Sequence, residues 1–474
     1  MDTPPLHDGT TLPHYGEGRR IKGTRSLCPH CLESIDAEVF ERDGGVWMDK
    51  HCPEHGRFCA LLSSDAAHYY IADPAVQALG SCCGPSRHCG DAVANHSCNM
   101  LIEITSRCNL TCPTCYADSS PTRTDQMTLE RFDVLLDDLL AKGKGDADLI
   151  QLSGGEPTIH PQMFEMLDLA LRKGFQRVYI NTNGIRLARP AFAERLASYG
   201  KAVSVYLQLD GLRPRTLRVL RGREDLVGAK LEALDQCERL GIDCVPVVTL
   251  TPGVNDDELG TLLRLAADRP RSVRKVMIQP AMYSGRYDNP RLVHRMTVAD
   301  VAKAVAAQTD GLFTEADFSP IPCSDPNCFS MALALRAGQG LDALVPVSRY
   351  FPRYARWAEP AVQDVIGRVT DTFDDPSALR EVIDWVMRGE ALTGLDDAQM
   401  DALLDRIVAL QASAPAEDAG PWQGLFAIGI KPFMDAYTYD QDRIDKCCVH
   451  IIASDGQPVS FCEYNARHRP LGRG

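Results

Sequence analysis

Three cysteines lie close together at a spacing that suits an iron–sulfur cluster. Cys108, Cys112 and Cys115 form a C-x3-C-x2-C motif directly after the β-rich run Leu101–Thr105. A loop of this length wraps only one corner of a four-iron cube, so three thiolates cover three irons and leave the fourth open. Electron-transfer clusters normally fill that position with a fourth cysteine. An open iron can bind and reduce a small molecule, so the three cysteines are candidate catalytic residues.

Three further motifs follow strand-like runs downstream of the cysteines. They are Gln151-Leu-Ser-Gly-Gly-Glu-Pro157, Asn181-Thr-Asn-Gly184 and Gln208-Leu-Asp-Gly211. Together with the cysteine triad they resemble the radical S-adenosylmethionine (SAM) superfamily. The resemblance implies that SAM chelates the open iron and that reduction cleaves SAM to a 5′-deoxyadenosyl radical, which takes a hydrogen atom from a substrate C–H bond. One departure is Thr114, where many members have an aromatic residue; here Tyr116 follows the third cysteine instead.

The residues of these motifs are the expected SAM contacts. Gly154 and Gly155 have no side chains, so backbone groups can approach a ligand closely. Glu156 supplies a carboxylate for the methionine ammonium group. Polar residues at strand ends are where a barrel collects its ligand contacts. The expected cofactor-binding set is Tyr116, Ser153, Gly154, Gly155, Glu156, Asn183 and Gln208.

A second metal motif precedes the triad. Cys28-Pro-His-Cys31 and Cys52-Pro-Glu-His55 lie on either side of a predicted β-hairpin with its turn at Asp43-Gly-Gly45. Cysteine and histidine at these spacings are typical of a Cys3His zinc ribbon or a rubredoxin-like iron site. Cys59 competes for the fourth position, although His55 has the better spacing. A closed site of this kind is structural or relays electrons, because it offers no position to a substrate.

A loop-like segment before the triad is a candidate auxiliary-cluster site. Residues 80–98 contain Cys82, Cys83, Cys89 and Cys98 among several glycines. Adjacent cysteines cannot easily both bind one iron site, so we place Cys83, Cys89 and Cys98 in the ligand set.

The C-terminal third contains another candidate auxiliary-cluster site. Cys323 and Cys328 form a tight C-x4-C loop, and Cys462 lies in the run Phe461-Cys-Glu-Tyr-Asn465. One of Cys447 and Cys448 completes the group, and we place Cys448 in the ligand set. This assignment requires contacts between distant parts of the chain.

The elements that must position these residues alternate between apolar strands and amphipathic helices from about residue 100 to 310. For example, apolar residues recur at helical spacing from Leu129 to Leu139, and Thr128 supplies half of a capping box. Six such β/α units predict a parallel sheet with right-handed crossovers. The predicted strands are 101–105, 148–153, 177–182, 203–209, 243–250 and 274–280, and the predicted helices are 128–142, 161–173, 190–198, 224–240, 256–267 and 297–309.

The predicted fold class is α/β. It is a partial (β/α)6 TIM-type barrel with an N-terminal rubredoxin- or zinc-ribbon-like module and a C-terminal α+β auxiliary-cluster domain. Cys237 and Cys244 are interpreted as core thiols, residues 1–25 as disordered or loosely packed, 345–412 as helical and 412–419 as a linker. The expected domains are 1–80 for the extension and metal module, 81–100 for the Cys-rich bridge, 101–310 for the barrel and 311–474 for the C-terminal region.

Composition narrows the possible functions. A chain of 474 residues suits two to four domains, and its 18 cysteines at short spacings indicate metal ligation rather than disulfides. A formal net charge of −14 without a long basic run argues against nucleic acid as a partner. The sequence shows no signal peptide and no apolar stretch long enough to span a bilayer, so we expect a cytoplasmic protein.

The order of the cysteine motifs resembles one radical SAM subfamily. This subfamily contains tetraether lipid synthase and the pterin-methylating radical SAM methyltransferases, and the resemblance covers nearly all of the chain. It implies carbon–carbon bond formation, three [4Fe–4S] clusters, a rubredoxin-like mononuclear site, and a small-molecule or lipid substrate. The expected cofactors are therefore SAM, a SAM-binding cluster with one or two auxiliary clusters, and zinc or iron in the N-terminal module. An electron donor such as ferredoxin or flavodoxin is the expected partner.

Other functions remain open at this point. A peptide-modifying radical SAM maturase also has auxiliary clusters, but we would expect seven C-terminal cysteines and a peptide-docking module. A non-catalytic iron–sulfur electron carrier would not need the glycine-rich SAM-type loops. Between methylation and lipid coupling the sequence says little. The aromatic residues of 345–400 can line an alkyl tunnel or simply pack a helical core, and a methyltransferase needs a second SAM or a folate as methyl source.

Overall fold

The computed structural model describes residues 18–70, 97, 99–142, 149–287, 295–320, 324–336, 338–350 and 424–472. The start of the expected helical region 345–412 is described, and it contains the end of strand Leu344–Pro346 and a 3-10 turn at Ser348–Tyr350 instead of an α-helix. Outside the described ranges lie the rest of that region, the expected linker 412–419, the expected ligands Cys83, Cys89, Cys98 and Cys323, and Cys82.

The N-terminal residues fold into an antiparallel four-stranded sheet. Asp43 (φ 51°) and Gly44 (φ 76°) make the predicted turn between its two middle strands, and a two-residue hairpin turn favours left-handed φ values at both positions. The outer strands are not predicted, and the expected disorder of residues 1–25 is wrong from Arg19 onwards. The elements are β1 (Arg19–Leu27), β2 (Ser34–Arg42), β3 (Gly45–Cys52), β4 (Gly56–Ser63) and helix α1 (Ala66–Tyr70).

A twelve-stranded sheet contains the six predicted barrel strands. They run parallel, in the order β11-β10-β9-β8-β7-β5. Barrel strands that are consecutive in the sequence are therefore neighbours in the sheet. This arrangement confirms the predicted fold class. The strands are β5 (Asn99–Thr105), β7 (Leu149–Gly154), β8 (Arg177–Thr182), β9 (Val203–Gln208), β10 (Cys244–Leu250) and β11 (Lys275–Pro280).

Among the described residues of this region, seven helices accompany the strands, and all six predicted helices are among them. Thr128 Oγ1 accepts a hydrogen bond from Arg131 N (3.2 Å), which is the half capping box expected at the start of the first. Helix α5 is the additional one. No helix in the described ranges is long and apolar enough to cross a membrane. The helices are α2 (Leu129–Lys142), α3 (Met163–Arg172), α4 (Pro190–Ala197), α5 (Pro214–Arg221), α6 (Val227–Leu240), α7 (Leu259–Ala267) and α8 (Val298–Gln308).

Two strands from the C-terminal region extend the parallel sheet at its two edges. Strand β16 (Leu425–Ile430) pairs with β11, and β17 (Val449–Ile452) pairs with β5. Two strands of the expected region 311–474 therefore join the sheet of the barrel. The remaining elements are β6 (Thr114–Cys115), β12 (Arg286–Tyr287), β13 (Ser319–Pro320), β14 (Ser330–Arg336), β15 (Leu344–Pro346), α9 (Gln441–Ile444), β18 (Pro458–Ser460) and α10 (Phe461–Glu463).

The two faces of the barrel strands differ in burial and polarity. One face packs against the helices in a single apolar core, which includes the fully buried thiols of Cys237 and Cys244, as predicted. The alternate residues face the barrel interior, and in β8 to β11 those nearest the carboxyl ends of the strands are only partly buried. They are Asn181, Gln208, Thr249 and Gln279. The barrel interior is therefore lined with polar groups at the carboxyl ends of these strands.

Candidate functional site

The cysteine triad lies on the loop that leaves β5, as the sequence predicts. Cys108 and Cys112 are nearly buried and pack with Leu217 and Leu226, while Cys115 contacts the same cluster. Cys108 Sγ accepts a hydrogen bond from Leu110 N (3.4 Å). The loop thus brings the three sulfurs into one apolar environment.

The sulfur positions suit a cluster better than a single metal ion. Within the part of the chain that the structure describes, one group alone has three or more candidate ligand atoms all within 4.8 Å of one another, and it does not contain the triad. A four-iron cube holds its ligand sulfurs farther apart than one ion does. Burial raises the pKa of Cys108 to about 12, so the thiolate form needs a positively charged group beside it. The triad therefore fits a multi-iron centre.

The group whose ligand atoms all lie within 4.8 Å of one another is the predicted ribbon site, formed by Cys28, Cys31, Cys52 and His55. Its sulfur–sulfur and sulfur–nitrogen distances are 3.9 Å (Cys31–Cys52), 3.7 Å (Cys28–His55) and 3.4 Å (Cys52–His55). A tetrahedral zinc with Zn–S bonds near 2.3 Å separates its ligands by about 3.8 Å, so the four residues fit one ion.

The competing ribbon ligand, Cys59, is not part of that group. Burial, followed by the charge of Asp49, raises the pKa of Cys59 to about 12. Although burial acts in the opposite direction, hydrogen bonds with His55 and with backbone groups lower the pKa of Cys52 to about 6. The structure therefore brings His55 together with the three cysteines, whereas Cys59 is a buried thiol outside that group.

The two glycines after β7 allow the triad loop to come close. A Cβ atom on Gly154 (φ 115°) would lie 2.1 Å from Thr105 O, and one on Gly155 would lie 2.2 Å from Arg107 O. Gly155 N donates to Thr105 O (2.7 Å), and Glu156 N donates to Arg107 O (3.0 Å). The close approach that we expected toward a ligand is thus made to the backbone before the first cysteine.

Glu156 is a linking residue between two loops. Its carboxylate is buried (1% exposed) and accepts hydrogen bonds from Thr158 N (3.2 Å), Thr158 Oγ1 (2.5 Å), Thr182 Oγ1 (2.6 Å) and Asn183 N (2.7 Å). Burial raises the pKa of Glu156, and the four hydrogen bonds oppose that effect. Three of these hydrogen bonds reach Oε1 and one reaches Oε2, and the expected contact with the methionine ammonium stays a prediction. The carboxylate holds the loop after β7 to the loop after β8.

The other expected SAM contacts are brought together at the carboxyl ends of the strands. Ser153 Oγ lies 3.4 Å from Tyr116 Oη and accepts a hydrogen bond from Asn181 Nδ2 (3.1 Å). Asn183 Nδ2 donates to Asn109 Oδ1 (2.6 Å), beside the first cysteine. These contacts join the triad loop to the next two strands.

A buried lysine that the sequence analysis misses supports two of these residues. Lys230 Nζ donates to Asn183 O (2.6 Å), Gln208 O (2.7 Å) and Gln208 Oε1 (3.1 Å). Burial lowers the pKa of Lys230 to about 8. Helix α6 thereby fixes the ends of β8 and β9 from beneath.

A buried ion pair lies against the second cysteine. Arg221 donates to Asp210 through Nε and Nη2, each at 2.7 Å, and its side chain also hydrogen-bonds Cys112. Asp210 Oδ1 accepts a further hydrogen bond from Thr249 N (2.9 Å). Asp210 belongs to the Gln208-Leu-Asp-Gly211 motif. Nothing in the sequence predicts that Arg221 pairs with it or that Arg221 contacts Cys112.

A distant segment closes over the triad loop. Arg286 donates to Cys112 O (2.8 Å) and Ser119 O (2.6 Å), and β12 pairs with β6. A Cβ atom on Gly285 (φ 66°) would lie 2.3 Å from Tyr116 O. No sequence signal links this glycine and arginine to cysteines that lie about 170 residues earlier.

Three of the C-terminal cysteines lie close together. Cys328, Cys447 and Cys462 interact electrostatically with one another, and burial, the largest cause, raises the pKa of Cys328 to about 11. Cys447 and Cys448 both pack with the cluster that contains Leu101, Ile451 and Phe461. The assignment of Cys448 to the ligand set stays a prediction.

Comparisons with known proteins agree with this geometry. Residues 102–266 match the model of the radical SAM superfamily, and residues 20–64 match that of the HMPTM N-terminal zinc ribbon domain. The chain is 31% identical to 7,8-dihydro-6-hydroxymethylpterin dimethyltransferase of Methanocaldococcus jannaschii over 94% of each chain. It is 31% identical to GTP 3′,8-cyclase of Alkaliphilus oremlandii over 41% of this chain and 62% of the relative. Among solved structures, Streptococcus suis SuiB bound to its precursor peptide SuiA is 17% identical, with a TM-score of 0.38 over 46% of each chain.

The long match with the dimethyltransferase includes the ribbon, the barrel and the C-terminal strands. It shows an enzyme of the radical SAM methyltransferase type, which uses a [4Fe–4S] cluster and SAM and has a metal in its N-terminal module. The peptide maturase and the electron carrier are not favoured. The chain belongs to the radical SAM superfamily and, within it, to the family of the M. jannaschii 7,8-dihydro-6-hydroxymethylpterin dimethyltransferase.

Proposed function

We propose that this methyltransferase acts on 7,8-dihydro-6-hydroxymethylpterin or a closely related reduced pterin. The observation that carries the proposal is the likeness to the M. jannaschii dimethyltransferase, because it extends over 94% of both chains. The match to a GTP cyclase, in contrast, covers 41% of this chain. The dimethyltransferase matches nearly the whole chain, whereas the GTP cyclase matches less than half of it. The dimethyltransferase is therefore the better guide to the substrate class.

The polarity of the barrel interior also supports a pterin rather than an alkyl chain. Ser153, Asn181 and Gln151 form a connected row on the inner face, with Gln151 Nε2 donating to Asn181 Oδ1 and Asn99 Nδ2 donating to Gln151 Oε1 (2.8 Å). A lipid chain would offer this row no further hydrogen bond, and covering polar atoms that can still accept or donate costs free energy. A heteroaromatic ring with several nitrogen and oxygen atoms can hydrogen-bond to them.

The residues of the site take distinct roles in this proposal. Cys108, Cys112 and Cys115 hold the SAM-binding cluster, which supplies the electron that cleaves SAM and so the radical that takes a hydrogen atom from the substrate. The proposed SAM contacts are Tyr116, Ser153, Gly154, Gly155, Glu156, Asn183 and Gln208. The Gly154-Gly155-Glu156 loop also sets the distance between the β7 loop and the triad, and Lys230 is a positioning residue that fixes the ends of β8 and β9.

We further propose an auxiliary cluster at the C-terminal cysteines. Cys328, Cys447 and Cys462 share one environment, and each of the outer two has a donor aimed at its sulfur: Arg443 Nε lies 3.4 Å from Cys328 Sγ, and Met434 N lies 3.3 Å from Cys462 Sγ. Hydrogen bonds of this kind stabilise cluster thiolates. Cys323 is the proposed fourth ligand, Cys83, Cys89 and Cys98 remain proposed ligands of a further cluster, and ferredoxin or flavodoxin is the proposed electron donor.

Anaerobic reconstitution tests the proposed function. The purified chain is loaded with iron and sulfide, and SAM, dithionite and 7,8-dihydro-6-hydroxymethylpterin are then added. We expect 5′-deoxyadenosine and a pterin carrying one or two additional methyl groups, both detected by mass spectrometry, and neither product with C112A. Formation of 5′-deoxyadenosine without any methylated pterin, across methyl donors that include SAM and reduced folates, would overturn the substrate assignment.

A further inference from the structure

The six barrel strands contain a single acidic side chain. Glu103 is the one acidic residue of β5 and β7 to β11. Its neighbours Ile102 and Ile104 are fully buried in the helix-packed core. Because side chains alternate between the faces of a strand, Glu103 faces the barrel interior. Its register partner on β7 is Ser153, a proposed SAM contact.

The C-terminal residues hold one oxygen of this carboxylate in place. Arg469 Nη2 donates to Glu103 Oε1 (2.6 Å), and Arg469 Nε donates to Asn465 Oδ1 (2.9 Å). Asn465 is itself fixed, since its Nδ2 donates to Phe461 O (2.8 Å) and its carbonyl accepts from Ser284 Oγ (2.7 Å). The one π-helical turn in the described residues, Tyr464–His468, sets this spacing, and such turns often occur at functional sites.

The second oxygen of the carboxylate is free to accept. Glu103 Oε2 has no hydrogen-bond partner within the described ranges, and the side chain is 20% exposed. Glu156, by contrast, is 1% exposed and has donors on both oxygens. Glu103 thus has one oxygen held by Arg469 and one oxygen that no protein group of the described residues occupies.

Aromatic side chains lie near Glu103. Glu103 interacts electrostatically with Tyr116 and Tyr464. The ring of Phe461 lies 5.4 Å from that of Tyr116 and 4.2 Å from that of Phe433. A flat heteroaromatic ligand can stack against such side chains while its edge meets the carboxylate.

We propose that Glu103 binds the 2-amino-4-oxopyrimidine edge of the substrate and that Arg469 is its positioning residue. This inference rests on the proposed pterin substrate. The edge presents two adjacent donors, the N3–H and the 2-amino group, and an ionised carboxylate is an acceptor only. Charge-assisted hydrogen bonds of this kind are the strong ones. Glu103 would thus place the pterin ring within the barrel beside the SAM contacts Ser153 and Tyr116.

The test compares two ligands on two holoenzymes. Binding of 6-hydroxymethylpterin and of 6-hydroxymethyllumazine, which has an oxygen in place of the 2-amino group, is measured by anaerobic equilibrium dialysis with SAM present. We expect the wild type to prefer the pterin by about 10- to 100-fold, as for a hydrogen bond to a charged group. In E103Q the preference should disappear, because the glutamine amide can donate to the lumazine oxygen.

Matched measurements keep the outcome unambiguous. Glu130 is exposed at the start of α2, so E130Q should retain the wild-type preference. Iron content and the circular dichroism spectrum confirm that E103Q is folded and loaded. The proposal is overturned if E103Q retains the preference, or if E103Q weakens SAM binding while the ratio stays unchanged, since the carboxylate would then contact SAM. Failure of the proposed function itself looks different, because the wild type would then bind neither ligand.

Discussion

The ribbon and the triad loop are both cysteine centres, yet they are built in different ways. The ribbon ligands come from two tight knuckles joined by one hairpin, and all four ligand atoms lie within 4.8 Å of one another. The triad loop depends on partners from far along the chain, namely Gly154, Gly285 and Arg286. The closed ribbon site can therefore form from local structure. The triad loop reaches its final conformation only when the rest of the barrel has packed around it.

The largest effect is expected from loss of a triad cysteine. In C112A the cluster loses one of its three protein ligands, so formation of 5′-deoxyadenosine should fall to the background level and the iron content should decrease. C237A is the control, because Cys237 is also buried but lies in the apolar core. Normal SAM cleavage by C112A would show that Cys112 is not a ligand of the catalytic cluster.

Loss of a ribbon cysteine should have a strong but local effect. Metal binding contributes directly to the folding of small ribbon domains, so C52A should lose the ribbon metal and expose residues 18–70 to protease. The iron bound by the triad should remain, which metal analysis after anaerobic purification measures. C59A is the matched control, because Cys59 is equally buried but lies outside the site. Equal metal loss in C59A would contradict the choice of His55 as the fourth ligand.

A glycine pair tests the long-range assembly of the open centre. Gly285 and Gly253 have similar φ values, 66° and 70°, but only at Gly285 would a Cβ atom meet the backbone of Tyr116. G253A should therefore cost about 1 kcal/mol, whereas G285A should cost about 2–4 kcal/mol and lower the cluster content. Thermal unfolding and iron analysis check both. Equal losses in the two variants would mean that the close approach is unimportant.

The smallest expected effect is a pH dependence from Lys230. Burial lowers the pKa of Lys230 to about 8, so between that value and the usual lysine range the unfolded chain binds more protons than the folded one. Stability therefore rises with pH, by roughly 1–2 kcal/mol between about pH 8 and 9.5. The measurement is the melting temperature of the wild type minus that of K230M across this range. A difference that stays flat or falls would contradict the buried, depressed lysine.

Local patterns in the sequence were sufficient for much of the fold. The barrel strands and helices have clear periodicity, and the ribbon ligands and the triad have fixed short spacings. In contrast, strand β1 carries charged residues at Arg19, Arg20 and Arg25, which conceal its pairing with β2. The places of strands β16 and β17 in the sheet are not predicted, because they depend on register with distant strands.

The supporting residues of the site could not be found from sequence. Lys230, Arg221 and Arg286 act through side-chain contacts with loops that are far away along the chain, and their residue types are common on protein surfaces. The choice between Cys447 and Cys448 likewise depends on which way a strand enters its sheet. Glu156 illustrates a further limit: the motif marks an important carboxylate, but it does not predict the four hydrogen bonds that the protein donates to it.

The placement of β17 beside β5 has a consequence for how the enzyme is made. Strand β5, which leads into the triad loop, lies between β7 and β17. Its residue Glu103 pairs with Arg469, which is synthesised 366 residues later. At roughly 5–20 residues per second, the ribosome needs about 20–70 s to supply that partner. The nascent triad loop is incomplete throughout this interval, so iron–sulfur loading of the active centre should follow chain release instead of accompanying translation.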